Sequence, residues 1–285
     1  MSTEIIQQRL ESYHCKTPLD EKNALKEITQ EIALMALSNT PFFKVAEFHG
    51  GTALRILYGL QRFSEDLDFA LLNPDPEFRL ENYLAHLSDT FQAYGYEISI
   101  SDRTEKKQIV QKQFLKVDSL GKILTLQYPF NRADKTLKIK FEVDTNPPAG
   151  ASTELKFLTF PLPFSVLTKD KSSSFAGKCH ALLCRKYNKG RDWYDFIWYV
   201  SQKIPLNLSL LKNALYQQGP WKGQSIDINP TWVINALSQK IKTIDWPSLR
   251  SDVQPLMKAH EFDSLQLWQT EFFMSLIEKM QKNIS

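Results

Sequence analysis

Two short motifs at a fixed separation restrict this chain more than anything else in it. His49-Gly50-Gly51-Thr52-Ala53-Leu54 is followed by Arg62-Phe63-Ser64-Glu65-Asp66-Leu67-Asp68-Phe69, with thirteen residues between Thr52 and Asp66. Val45-Ala46-Glu47-Phe48 reads as a short strand running into the glycines, and Thr52 to Leu60 carries a helical pattern that Gly59 should end. The chain must therefore turn from strand to helix at Gly50-Gly51. Without a Cβ the backbone there can approach a ligand closely, and a helix start presents unsatisfied N–H groups, so Gly50, Gly51 and Thr52 are candidates to hold a triphosphate. Asp66 to Leu71 alternates polar and apolar like a strand with one buried face, which projects Asp66 and Asp68 together and turns Leu67 and Phe69 inward. Two such carboxylates repel unless a cation neutralises them. Mg²⁺ (or Mn²⁺) is the natural choice, because it takes hard oxygen ligands and combines one or two carboxylates with substrate phosphates.

Phosphoryl transfer with paired metal ions calls for a third carboxylate. Leu137-Lys138-Ile139-Lys140-Phe141-Glu142-Val143-Asp144 supplies one: strand alternation buries Leu137, Ile139, Phe141 and Val143 and puts Glu142 and Asp144 on the other face with Lys138 and Lys140. Either Glu142 or Asp144 fits as the third ligand. Singly, Asp-x-Asp is ordinary for a solvated strand face and Gly-Gly for a turn. Their order along the chain is what a metal-dependent nucleotidyl-transfer site requires.

With 285 residues, 42% of them hydrophobic and 24% charged, the chain is long and apolar enough for two folded domains and too ordinary for a disordered chain or a disulfide-stapled miniprotein. The first residues carry no basic segment leading into an apolar one, and the best early apolar stretch, Ile32 to Leu37, is short, so neither export nor membrane insertion is expected. Cys15, Cys179 and Cys184 are odd in number and lack CxxC spacing, which fits a reducing cytoplasm. A net charge of +3 permits a nucleic-acid partner without requiring one. The five histidines are scattered without zinc-ligand spacing, and His49 reads as shaping the glycine turn.

Helical spacing predicts a helix over 21–38 capped by Asp20 and another from Phe78 to Tyr94, with strands at Tyr96–Ser101, Gln113–Val117, Ile123–Gln127 and Leu137–Val143. Asn146-Pro147-Pro148-Ala149-Gly150, Pro161 and Pro163 interrupt regular structure, and beyond them nearly every segment reads as helix, at about 171–187, 192–202, 207–217, 229–242, 246–258 and 263–282. The expectation is an α+β chain: a mixed-sheet domain over 1–165 and an α-helical bundle over 166–285. Arg103, Lys106, Lys107 and Lys112 make a modest basic patch, read as a solvated loop before an RNA contact. Trp193, Tyr194, Phe196, Trp198 and Tyr199 fall on several helical faces and read as mostly interdomain core.

In the helical part, Lys178 and Arg185 stand seven residues apart and share a face, and Asp192 and Asp195 share a face three residues apart. Alone, this is a salt-bridged helical hairpin. Given an acidic metal site elsewhere in the chain, Lys178 and Arg185 become candidates for nucleotide phosphates and Asp192 for orienting the lysine or the nucleotide, in a cleft between the two domains.

Gly50-Gly51-Thr52-Ala53-Leu54, the segment Arg62 to Phe69, Lys178 to Arg185, Arg191-Asp192-Trp193-Tyr194-Asp195 and the late Asp245 to Val253 together resemble the AbiEii/AbiGii toxin family of nucleotidyltransferase-like proteins, over about 40–270. The resemblance implies a minimal nucleotidyltransferase domain of the DNA polymerase β type followed by a helical domain, and a toxin acting beside a separate antitoxin protein in a toxin–antitoxin or phage-defence pair. It matches Gly51 and Thr52 to the family's Gly-Ser/Thr step, Asp66 and Asp68 to its metal-binding pair, Lys178 to its nucleotide-contacting lysine and Asp192 to its later acid. The expected reaction moves an NMP from an NTP to a hydroxyl acceptor, RNA and tRNA in particular. Two rivals are a small-molecule nucleotidyltransferase of the antibiotic-modifying kind and a non-catalytic module that docks an antitoxin or RNA.

Overall fold

The computed structural model describes residues 2–102, 109–117, 124–128, 136–224 and 226–283. These divide into two compact units: one of residues 1–59, 63–147 and 153–168, the other of 60–62, 148–152 and 169–285. Two short excursions thus cross the expected single boundary near residue 165.

The first unit is built on a seven-stranded mixed sheet of order β3-β4-β5-β2-β1-β7-β6, in which β1 is Ala46–His49, β2 Asp66–Leu71, β3 Ile98–Asp102, β4 Val110–Val117, β5 Leu137–Asp144, β6 Thr153–Leu158 and β7 Phe164–Lys169. At its centre β2 runs parallel to β5 and antiparallel to β1. The helices of this unit are α1 (Ser2–Glu11), α2 (Pro18–Ser38), α3 (Gly50–Tyr58) and α4 (Glu81–Ala93). Leu67, Phe69, Ile139, Phe141, Val143 and Leu115 join Ile28, Ile32 and Leu84 in one buried cluster, so the apolar stripe of every central strand packs into the same core as α2 and α4. Each such side chain withdrawn from water contributes about 1.5–3 kcal/mol. Phe42 fills the middle, its ring 4.9 Å from that of Phe69 and 5.3 Å from that of Tyr83.

Several local expectations are corrected by the structure. Thr17, not Asp20, caps α2: the Asp20 N–H donates to the Thr17 hydroxyl, and Pro18 opens the helix. Residues 124–127 form no strand, and residue 123 lies outside the described residues. Their backbone N–H groups are met by side chains instead, Thr125 by Gln7 and Gln127 by Glu21, which removes the need for a ladder partner. The expected second helix starts later, at Glu81, because Gln111 holds both the Leu80 N–H and the Phe78 carbonyl. β6 and β7 were hidden by the prolines that flank them, and α1 had no strong periodic signal. Gly59, at φ 75°, ends α3 as anticipated.

The second unit is helical: α5 (Lys171–Cys184), α6 (Gly190–Ser201), α7 (Leu208–Gln217), α8 (Pro230–Ile241), α9 (Trp246–Val253) and α10 (Thr270–Gln281). Trp193, Phe196 and Tyr199 of α6 are buried in the core of this unit itself. Trp193 lies edge-on to Trp246 and Phe273, which stack on each other at 4.1 Å. The segment 259–267 is a 3₁₀ helix, which delays the last α-helix to Thr270.

Gly190 is where α6 starts against α9. A Cβ there would collide with the Leu249 carbonyl, a backbone atom that cannot swing away. Gly190→Ala should therefore destabilise the helical unit by about 1–3 kcal/mol or more, the usual cost of overpacking, and urea unfolding would measure it; an unchanged midpoint would mean the α6–α9 approach is looser than described.

Candidate active site

The first unit gathers the motif residues through strand register. β1 pairs with β2 so that His49 stands opposite Asp68, and β2 pairs with β5 so that Asp66 stands opposite Lys140, Asp68 opposite Glu142 and Ala70 opposite Asp144. Opposed residues share a sheet face. Asp66, Asp68, Glu142 and Asp144 therefore lie on the face opposite the core, all partly exposed. Glu142 is the immediate neighbour of Asp68, whereas Asp144 is two residues further along and closes its own turn, its carboxylate accepting the Asn146 N–H at 2.9 Å. Glu142 is paired with Lys140 at 2.8 Å.

The glycine turn adjoins these acids. Gly50 has φ 81°, a conformation L side chains rarely adopt, and a Cβ on it would fall 2.5 Å from Asp68 Oδ2. The absence of a side chain is what lets the start of α3 press against that carboxylate. The residue before α3, His49, makes no side-chain cap to it. Such an end attracts anions. Thr52 is fully buried and its hydroxyl donates to the Asp66 backbone carbonyl. Its side chain therefore fastens α3 to the head of β2, and what it can offer a phosphate is its backbone N–H. Lys26 to Glu65, at 2.5 Å, and Gln30 to the Ser64 carbonyl, at 3.2 Å, fix the approach to β2 against α2.

Lys178, Arg185 and Asp192 belong to the helical unit and form an ion network there, in which Asp192 is buried, Lys178 half-buried and Arg185 exposed. The Lys178 ammonium lies 2.7 Å from Asp192 and 2.8 Å from Asp195, and Arg185 pairs with the other Asp192 oxygen. Arg62 grips Asp195 with two bonds of 2.7 Å, through Nε and Nη2. Arg62 and Asp195 were not assigned from sequence. The three-residue spacing of Asp192 and Asp195 was a visible sign for the second; Arg62 gave none, since its partner is 133 residues away.

In this network Lys178 and Arg185 meet Asp192, and Lys178 and Arg62 meet Asp195. Burial alone would push the Asp192 carboxyl up, but Lys178 and then Arg185 outweigh it and hold the group well below the usual carboxylate range. Lys178 shows the mirror image: burial opposes its charge, and Asp192 and Asp195 keep the ammonium firmly protonated.

Among the described residues no group of three or more His, Cys, Asp and Glu side chains is placed to hold a metal ion. What the sheet face offers a hard divalent cation is its donor chemistry: two carboxylates from one strand and a third from its neighbour, beside the start of a helix. Arg103, Lys106 and Lys107 lie outside the described residues, and Lys112 stands on β4 opposite Glu142.

The depressed Asp192 group makes stability pH-dependent. Its contribution is complete above the ordinary value of 3.8 and is lost as the pH falls further below it. Asp192→Asn should cost about 3–5 kcal/mol at neutral pH, since it leaves buried cations short of a charge, and the gap from wild type should narrow at pH 3 in urea unfolding. A gap that stays the same at both pH values would show that Asp192 is not held ionised by the network.

Comparison with known proteins follows the geometry. Two crystal structures from Helicobacter pylori share the fold: a protein described as a candidate nucleotidyltransferase, at 16% identity and TM-score 0.52 over 91% of this chain and 95% of that one, and JHP933, at 16% identity and TM-score 0.51 over 93% and 94%. None of the curated proteins compared with the chain matches it. The family model for the nucleotidyl transferase AbiEii toxin of type IV toxin–antitoxin systems matches residues 32–266, a span that takes in the glycine turn, both aspartates, β5 and the ion network. The chain belongs to the AbiEii nucleotidyl transferase toxin family.

Proposed function

We propose that this nucleotidyltransferase moves an NMP from an NTP to a hydroxyl of RNA, with tRNA as the favoured acceptor, and that it does so in the cytoplasm as the toxin restrained by a cognate antitoxin in phage defence. The observation that carries the chemistry is the register that sets Glu142 beside Asp68, next to the glycine-led start of α3. No helix among the described residues is long and apolar enough to cross a membrane.

Asp66, Asp68 and Glu142 would hold Mg²⁺ (or Mn²⁺), which when bound supplies positive charge to the triphosphate and lowers the pKa of a coordinated hydroxyl. The first N–H groups of α3, from Gly50 to Thr52, hold phosphate oxygens. The acceptor oxygen attacks the α-phosphorus, a new P–O bond forms, the bond to the β-phosphate oxygen breaks, and pyrophosphate leaves. Glu142 is the group placed to receive the acceptor proton, and its register beside Asp68 favours it over Asp144. Lys178 is proposed as a nucleotide contact, with Arg185 and Asp192 in support: an ammonium and a guanidinium suit a phosphate, which would replace a carboxylate at the ammonium.

The test is to incubate the purified protein with Mg²⁺, each labelled NTP, and either total cellular RNA or a set of small hydroxyl compounds. Labelled RNA is the expected product. Label confined to small molecules would establish the antibiotic-type reading, and no NTP consumption with any acceptor would overturn catalysis in favour of a docking module. Asp66→Asn, Asp68→Asn and Glu142→Gln should each cut turnover by a factor of about 10³ or more without unfolding the protein, while Asp144→Asn should cost far less. Full turnover in Asp68→Asn would refute the site, and a reversed order of Glu142 and Asp144 would exchange their roles. Lys178→Ala should chiefly raise the KM for NTP, and an unchanged KM would remove that lysine from the nucleotide.

A further inference from the structure

Among the described residues β6 is the last strand in the sheet order, beside β7. Natural edge strands are commonly blunted by proline, bulges, net charge or cover. Thr153–Leu158 contains no proline, and its single acid and single base cancel: Glu154 and Lys156 pair with each other at 2.7 Å. Its two faces differ sharply. Glu154 and Lys156 turn toward Tyr58 of α3, whose hydroxyl donates to Glu154 at 2.6 Å and whose ring lies 4.9 Å from the Lys156 ammonium. The opposite face carries Leu155 and Phe157, 54% and 77% exposed, with Leu162 of the following turn 56% exposed. Solvent-facing phenylalanine and leucine two apart on the last strand of the sheet form a surface suited to a partner strand.

The strand's own sequence names that partner. In an antiparallel pairing about a two-fold axis through Leu155, Leu155 meets Leu155 of the second copy, Thr153 meets Phe157, and Glu154 meets Lys156 twice over. Shifting the axis to Lys156 would set like charges opposite each other and leave Glu154 facing Leu158. Of the two, only the first register sets Glu154 opposite Lys156 and Leu155 opposite Leu155. We infer that this chain self-associates through β6, two copies pairing edge to edge in that register into one continuous sheet. A single strand pair buries less than the roughly 1,200 Å² of a standard interface, so the association is concentration-dependent rather than permanent.

Sedimentation velocity of the full chain, from low to high micromolar concentration, should show a monomer passing to a dimer. Leu155→Lys, which places two ammonium groups on the axis, should weaken the dimer about tenfold or more while leaving thermal unfolding of the monomer unchanged, since the side chain lies outside the core. Lys156→Glu and Glu154→Lys should each behave as monomers alone and form a mixed dimer together, because each supplies the charges the other lacks. A chain that stays monomeric at every concentration overturns the inference, as it would if a different protein normally covers the strand. So does a dimer indifferent to Leu155→Lys, or a failure of the two charge variants to pair.

Discussion

The parallel pairing of β2 with β5 is the constraint on which the rest of this protein hangs. It sets two requirements at once, because a strand side chain on one face commits its neighbour to the other. With Leu67 opposite Phe141 and Phe69 opposite Val143, the apolar stripe is fixed against α2 and α4, and Asp68 must then stand beside Glu142. A slip of one residue would bury the carboxylates and expose the core. The acids are thus held in position by hydrophobic burial on the far side of the sheet, which offsets the repulsion of placing like charges side by side.

The second recurring device is contact that only backbone can make. Gly50 allows α3 to begin against the Asp68 carboxylate, and Gly190 allows α6 to begin against the Leu249 carbonyl. In both cases the residue is needed for what it lacks. Thr52 complements the first by spending its hydroxyl on the Asp66 carbonyl, which fastens the helix to the head of the acidic strand. In the helical unit the equivalent fastening is electrostatic. Arg62, Asp195, Lys178, Asp192 and Arg185 are joined in one chain of charge-assisted bonds, and loss of any buried member would leave an uncompensated charge.

Much of this was legible beforehand. Strand alternation in Asp66–Leu71 and Leu137–Asp144 was strong enough to assign the buried and the acidic faces, and the glycine pair located the turn, because both signals are local and periodic. The misses were of another kind. β6 and β7 lie among prolines, and their strand character comes from neighbours far away in sequence. Residues 124–127 looked like a strand but had their N–H groups taken by Gln7 and Glu21. Trp193, Phe196 and Tyr199 of α6 are buried against rings of the helical unit itself, a detail hidden from the sequence because helical periodicity tells that a face is buried without telling against what.

The amino-acid sequence by itself determined the α+β composition, the acidic strand pair and the glycine-led helix start, all of which follow from side-chain periodicity over a few residues. Only the tertiary structure decided that Glu142 and not Asp144 neighbours Asp68, that the Thr52 hydroxyl is committed to Asp66, and that Arg62 closes on Asp195. Those outcomes depend on register and on contacts between distant segments, which are selected by the packing of the whole core and leave no mark in local spacing.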